Sequence, residues 1–317
     1  MRSGDAAARR GLALAALALA LAPAAPAAAY CRTSVCPGAG TRQVCTPAQA
    51  GDCGIPLRWP QQCVGFSIQE DASTQVSYAE TQAIFEEAFA TWMAADCGRG
   101  DHPAIRVSNA GPVSCDLHEY NQDRGNANAI IYRDGDWPHP GSGHTLALTT
   151  VTYNLDNGEI YDADMELNSA DHDFSTGDAA VSFDLLSIAT HEAGHFLGLS
   201  HSQDTTATMF AGYNEGTTGL RDLTDDDVNG MCAIYPPASI TSCDPTPRHG
   251  FSPLCADEQP DDDGGCSVTA AGNSRSGGGR GIVALSVLGV LGVLGAAARR
   301  RGGARRGAAR PEPEIDR

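Results

Sequence analysis

The stretch His191-Glu192-Ala193-Gly194-His195-Phe196-Leu197-Gly198-Leu199-Ser200-His201 decides how the rest of this chain reads. His191 and His195 stand four apart, so on a helix both imidazoles leave from one face. That spacing lets two ring nitrogens sit at roughly 2.1 Å from one Zn²⁺. Glu192 projects to the neighbouring side, where it can reach a water without becoming a ligand. Gly198 has no Cβ, so the chain can turn sharply there and end the helix. The turn returns His201 as a third ligand. Three protein ligands leave a fourth position for water, which marks a catalytic rather than a structural site. A helical pair of histidines by itself is often a surface coincidence, but here five defined positions fall at the extended spacing.

Outward from that stretch, Leu185, Leu186, Ile188 and Ala189 supply the buried face of a helix over about Phe183–Gly198. Cys63–Gln69 alternates as a strand does. Ser77 and Glu80 form a capping box for a helix near 78–95, whose apolar positions Ile84, Phe85, Ala88, Phe89, Trp92 and Met93 share a face. Short apolar runs at Ala104–Val107, Ala129–Tyr132, Thr145–Tyr153 and Glu159–Leu167 are punctuated by turn residues and predict strands. A last helix starts at Thr224 as N-cap, with Asp227 three residues on, and stops at Pro236-Pro237. The order fits one α+β domain with a mixed five-stranded sheet, an active-site helix and a C-terminal helix.

The charge is segregated. All 21 basic residues are Arg, and the formal net charge is −18. Residues 30–274 hold nine basic and 35 acidic residues, a net of −26, between two basic, apolar ends. An acidic folded body argues against nucleic acid as a partner. Eleven Cys, ten of them in that body outside the tail, suit an oxidising compartment. Residues 1–29 read as a signal peptide: Arg2, Arg9 and Arg10, then the apolar run Leu12–Leu21, then Ala27-Ala28-Ala29 as a cleavage pattern. An uncleaved anchor helix is the alternative. Residues 30–58 form a cysteine-rich segment with Cys31, Cys36, Cys45 and Cys53, pairing not deducible.

The histidine stretch is the metzincin signature, and the chain resembles that family of zinc endopeptidases, most closely the matrixins. Thr208-Met209-Phe210 resembles the Met-turn, whose Met lies beneath the metal. Leu223-Thr224-Asp225-Asp226-Asp227-Val228-Asn229-Gly230 resembles the matrixin final helix. The resemblance covers about 59–237 and is strongest after 180. It implies a zincin-like domain that hydrolyses protein or peptide substrates through a zinc-activated water, with Glu192 as general base and His191, His195 and His201 as ligands. It also implies that Thr145–Tyr153 borders the cleft and binds an extended peptide along its free edge. The loop Phe210–Leu220 would wall the pocket after the cut bond. Two other readings stand beside this one: a surface adhesion module that keeps the fold with little activity, and an aminopeptidase or narrow processing protease.

Three features depart from the matrixin pattern. Leu148 and Tyr161 stand about where two histidines of a second, structural zinc belong, and nearby Asp136, His139 and His144 do not rebuild the set, so no second zinc is expected. Asp162, Asp164, Glu166, Asp171, Asp173 and Asp178 are dense enough for Ca²⁺, but a solvated acidic face is the preferred reading. Cys53-Gly54-Ile55-Pro56 matches part of the matrixin cysteine switch, but the six residues from Pro56 to the strand at Cys63 are a short tether, and a disulfide role is expected.

Residues 238–280 are rich in Pro, Asp, Gly and Ser and read as a linker. Ile282–Ala298 is apolar and uncharged; as a helix it would span roughly 26 Å, the lower limit for a bilayer. Arg299-Arg300-Arg301 follow, so residues 281–317 read as a transmembrane helix with a cytoplasmic Arg-rich tail. Gly264-Gly265-Cys266, a spacer, this run and the Arg cluster resemble the MYXO-CTERM sorting signal of myxobacterial surface proteins. That implies processing near Cys266 by sorting machinery and attachment to the cell surface; a plain single-span anchor is the alternative.

Overall fold

The computed structural model describes residues 29–139, 144–260 and 283–293. In chain order the elements are β1 (Cys31–Cys36), β2 (Gly40–Cys45), β3 (Ile55–Pro56), β4 (Cys63–Gln69), α1 (Tyr78–Met93), β5 (Arg106–Val113), β6 (Ala129–Tyr132), β7 (Thr145–Asn154), β8 (Ile160–Leu167), β9 (Phe174–Ser175), β10 (Phe183–Asp184), α2 (Leu185–Phe196), β11 (Leu199–Ser200), β12 (Gly212–Tyr213), α3 (Asp225–Ile234) and β13 (Val283–Val293).

The main sheet runs β5-β4-β6-β8-β7, then continues through β13 to β12. The first five strands are the expected mixed sheet: β4 is parallel to β5 and β6, β6 is parallel to β8, and β7 is antiparallel to β8. β6 and β8 are buried at every position, as strands covered on both faces must be. β5 runs on through Gly111 and Pro112 to Val113, past the four residues its apolar pattern marks. It lies at the sheet edge, where a proline removes no needed ladder bond.

α1 begins at Ser77 with the predicted capping box and lays Ile84, Phe85, Ala88, Phe89 and Trp92 into the core. The Trp92 indole N–H donates to the Thr190 carbonyl of α2 at 2.7 Å, tying the two helices. The N-terminal hairpin β1–β2 joins the domain, since β1 pairs with β11, the short strand just before His201. Five disulfides use all ten cysteines outside Cys266: Cys31–Cys45, Cys36–Cys53, Cys63–Cys243, Cys97–Cys232 and Cys115–Cys255. Cys53 therefore has a structural partner, as expected.

Two expectations about the C-terminal part are corrected. Residues 238–260 are not a free linker: Cys243 and Cys255 bond back to the domain, and Ser114 donates to Pro253 while Ser252 donates to Asn126. Cross-links and backbone hydrogen bonds fix a segment whose Pro and Gly content only rules out regular structure. The described part of the apolar run is not a membrane-spanning helix. Val283–Val293 is a strand, antiparallel to β7 from Val283 opposite Asn154 to Gly292 opposite Thr145. Among the described residues no helix is long and apolar enough to cross a membrane. Val283, Val287, Val290 and Val293 favour a strand, and Gly289 and Gly292 disfavour a helix. Residues 1–28 of the expected signal peptide, Cys266 of the expected sorting signal and the Arg-rich tail lie outside the described residues.

Candidate metal centre and cleft

α2 starts at Asp184, whose buried carboxylate accepts from the Ser187 N–H at 2.9 Å and receives Arg221 through Nε at 2.8 Å and Nη2 at 2.6 Å. The Asp184 N–H donates to the Tyr213 hydroxyl at 2.9 Å. The loop Phe210–Leu220 is thus fastened at both ends to the start of the helix. It borders a cavity of about 470 Å³ with Phe210, Tyr213 and Leu220 in its wall.

Two turns along, His191 and His195 face the same way, and Gly198, at φ +96°, reverses the chain. A Cβ at Gly198 would stand 2.5 Å from the Leu57 carbonyl oxygen, so only glycine fits that turn. The reversal brings His201 back to the pair: the ligand atoms of the three histidines all lie within 4.8 Å of one another. Nδ1 of His191 donates to the Thr208 carbonyl at 2.7 Å, and Nδ1 of His195 donates to the Leu199 carbonyl at 3.0 Å. Those bonds place the proton on Nδ1 and leave Nε2 bare. Burial first, then neighbouring imidazoles, drive His191 down to about 3 and His195 far below the ordinary range; burial drives His201 down to about 4. All three are neutral.

Nε2 of His191 and Nε2 of His195 approach to 3.1 Å, and Nε2 of His201 is buried with no hydrogen-bond partner. With both protons on Nδ1, the close approach sets two lone pairs against each other. A cation held between them relieves that arrangement. The donor set of neutral imidazoles fits a borderline-soft divalent ion such as Zn²⁺.

Glu192 is fully buried beside the cluster. Its Oε2 accepts from the Thr149 hydroxyl of β7 at 2.5 Å, while Oε1 has no partner. Burial pushes its carboxyl up to about 8, against the opposing pull of Thr149. Met209 lies under the helix: a Cβ on Gly194 would stand 2.2 Å from its Sδ, so the glycine inside the signature makes room for the methionine. Asp227 of α3 holds the turn, accepting from the Thr208 N–H at 2.8 Å and the Met209 N–H at 3.0 Å.

The structure brings His191, His195, His201, Glu192 and Met209 together, while Cys266 lies outside the described residues. Sequence reasoning missed Thr149, Asp184 and Arg221, and it read Asp227 only as a cap. A threonine in an apolar strand and a lone Arg in a loop carry no local signal, because their partners lie 43 and 37 residues away. Of the second-zinc candidates, His139 goes to Glu166 at 2.9 Å.

Residues 127–236 match the family model described as Matrixin. The chain is 40% identical over 94 residues to Metalloendoproteinase 1-MMP of Arabidopsis thaliana, covering 30% of this chain and 23% of that protein. It is 26% identical over 220 residues to the neutrophil collagenase of Homo sapiens, covering 61% and 41%. It is 42% identical over 74 residues to the human Matrix metalloproteinase-27, covering 22% and 14%. The chain thus spans less than half the length of each of these relatives. With the histidine cluster, the methionine turn beneath it and the mixed sheet in place, residues 127–236 form a region similar to the matrixin type of metzincin domain.

Proposed function

We propose that this protein is a secreted zinc metalloendopeptidase. One observation carries the reading: three neutral imidazoles, two buried and the third half-buried, converge beside a glutamate with an unpartnered carboxylate oxygen, all on one helix and its return turn. His191, His195 and His201 would hold zinc, which when bound supplies a Lewis acid that polarises a carbonyl and acidifies water.

The chain's own groups do the rest. Thr149 holds Glu192 by Oε2, which leaves Oε1 to accept a proton from the attacking water and pass it to the leaving amine. At its raised pKa the carboxyl is an ionised base at neutral pH only beside positive charge, which the three-histidine site would hold. β7 borders the site, and its pairing with β13 supports its use as a docking edge for extended chain. Five disulfides and the leader-like N-terminus support export.

The test is cleavage of a denatured protein by the purified chain with zinc. Internal cuts are expected, abolished by chelator and reduced about 10²–10⁴-fold by Glu192→Ala, with zinc content unchanged by mass spectrometry. Undiminished cleavage by Glu192→Ala would remove the mechanism, and failure to retain zinc would remove the site. Export is checked separately, by finding the protein outside the cytoplasm after fractionation.

A further inference from the structure

The cysteine-rich hairpin lies outside residues 127–236, yet it is built onto the metal centre. β1 pairs with β11, which leads into His201. From there the hairpin runs outward: β3 pairs with β1, Ile55 standing opposite Val35, and the Cys36–Cys53 disulfide fixes the crossing. The turn after β7 comes to meet it. A Cβ on Gly158 would stand 2.6 Å from the Pro56 carbonyl oxygen and 3.2 Å from the Ile55 side chain. Between hairpin and turn lies a cavity of about 660 Å³, walled by Val35, Pro37, Gly38, Ile55, Leu155 and Asp156. Its lining is aliphatic apart from one carboxylate. Ile55 is 45% exposed there and Leu155 is half-buried, so a further apolar side chain would remove both from water.

The cavity continues the line of β7. That strand ends at Asn154, and Leu155 and Asp156 follow directly. Thr149, in its middle, bonds Glu192 and so marks the level of the metal centre. β13 shows the sense in which extended chain lies on this strand: antiparallel, with Leu288 opposite Thr149 and Val283, five residues earlier, opposite Asn154. Chain seated in that sense reaches the cavity roughly 17 Å before the residue at the metal, at about 3.4 Å per residue.

We propose that this cavity is a far recognition pocket, taking an aliphatic side chain of the substrate about five or six residues on the N-terminal side of the residue at the metal. The proposal rests on the endopeptidase reading. It makes the cysteine-rich hairpin a selector of substrate as well as part of the fold. It also commits the substrate class: an extended chain that takes the place of β13 on β7, aliphatic at the far position and not acidic there, since Asp156 stands in the wall. A peptide too short to reach the pocket gains nothing from it. Binding energy from such a remote contact can be used at the reacting bond.

The test uses the full chain with zinc and fluorogenic peptides that carry the sequence Val287–Val293 behind a Gly/Ser stretch. Leu is placed in turn at the fourth to eighth positions before Leu288, and kcat/KM is compared with that of the Gly/Ser parent peptide. Leu near the fifth or sixth position should raise kcat/KM at least about tenfold, and Asp at the same position should not. Ile55→Asp should abolish that ratio, while Leu117→Asp, a surface control 48% exposed, should keep it. The same ratio is read as peptide affinity by fluorescence anisotropy in Glu192→Ala. Equal values for Leu and Gly/Ser at every position overturn the proposal and leave a second copy or the chain's own residues to cover the cavity. A ratio that survives Ile55→Asp overturns the assignment to this cavity. Affinity that depends on Leu and on Ile55, with no cutting by the parent protein, supports the pocket and overturns the endopeptidase reading alone. Should Ile55→Asp not fold, Pro37→Asp, exposed on the same lining, must reduce the ratio for the proposal to stand.

Discussion

Thr149 illustrates how one hydroxyl orients the Glu192 carboxylate. It is buried in β7 and reaches Glu192 at 2.5 Å. Thr149→Val keeps the shape and deletes the donor. Glu192 then loses the one bond that lowers its carboxyl pKa. The acid limb of the pH–rate profile should move to higher pH, and kcat should fall with KM little changed. Leaving the acceptor unpaired should also cost about 1–3 kcal/mol of stability by denaturant unfolding.

Glu166 makes a second test at this scale. Burial works to raise its carboxyl, but the hydrogen bond from His118 and the charge of Arg133 outweigh it and hold the group at about 2. A depressed folded pKa stabilises above the unfolded value near 4.5, and the contribution disappears as pH falls toward 2. The stability gap between wild type and Glu166→Gln should therefore narrow as pH falls through that window in urea titrations at stepped pH, and narrow again on the alkaline side as His118, whose pKa Glu166 raises, loses its proton.

At the scale of elements, α2 is positioned from its first turn. Arg221 clamps Asp184 through two nitrogens, and Asp184 is fully buried. Arg221→Met would strand a buried carboxylate at the helix start. It should destabilise the protein by about 3–5 kcal/mol and loosen the loop Phe210–Leu220, seen as faster amide exchange there. β13 is the other decisive element. It occupies the edge of β7 that an extended substrate would use. A chain ending at residue 280 leaves that edge unpaired and should show higher kcat/KM toward peptides than the full chain. Equal values would mean that the strand yields freely to substrate.

At the scale of the molecule, three disulfides join sites 135 to 180 residues apart. Cys97–Cys232 links the end of α1 to α3, the helix whose Asp227 carries the methionine turn. Removing it with paired Ser substitutions should cost about 2–5 kcal/mol, read as a lower melting temperature with zinc bound.

Much of this architecture was legible in the sequence, because its signals are local. Ser77 with Glu80 and Thr224 with Asp227 are caps three residues apart, and the histidines at 191, 195 and 201 are fixed by helical spacing and one glycine turn. The strands of the sheet show themselves in short apolar runs between turns. What depends on residues far apart in sequence stayed hidden. The Thr149–Glu192 bond, the Met209 sulfur beneath Gly194 and the Arg221–Asp184 clamp exist only after packing. So do the partners of the acidic run, such as Arg221 on Asp178 and Arg133 on Glu166. The C-terminal apolar run shows the limit most clearly. Hydrophobicity determined that the segment must be covered, but a helix in a bilayer and a strand on β7 both cover it. The unpaired edge of β7, a property of the folded sheet, decided for the strand.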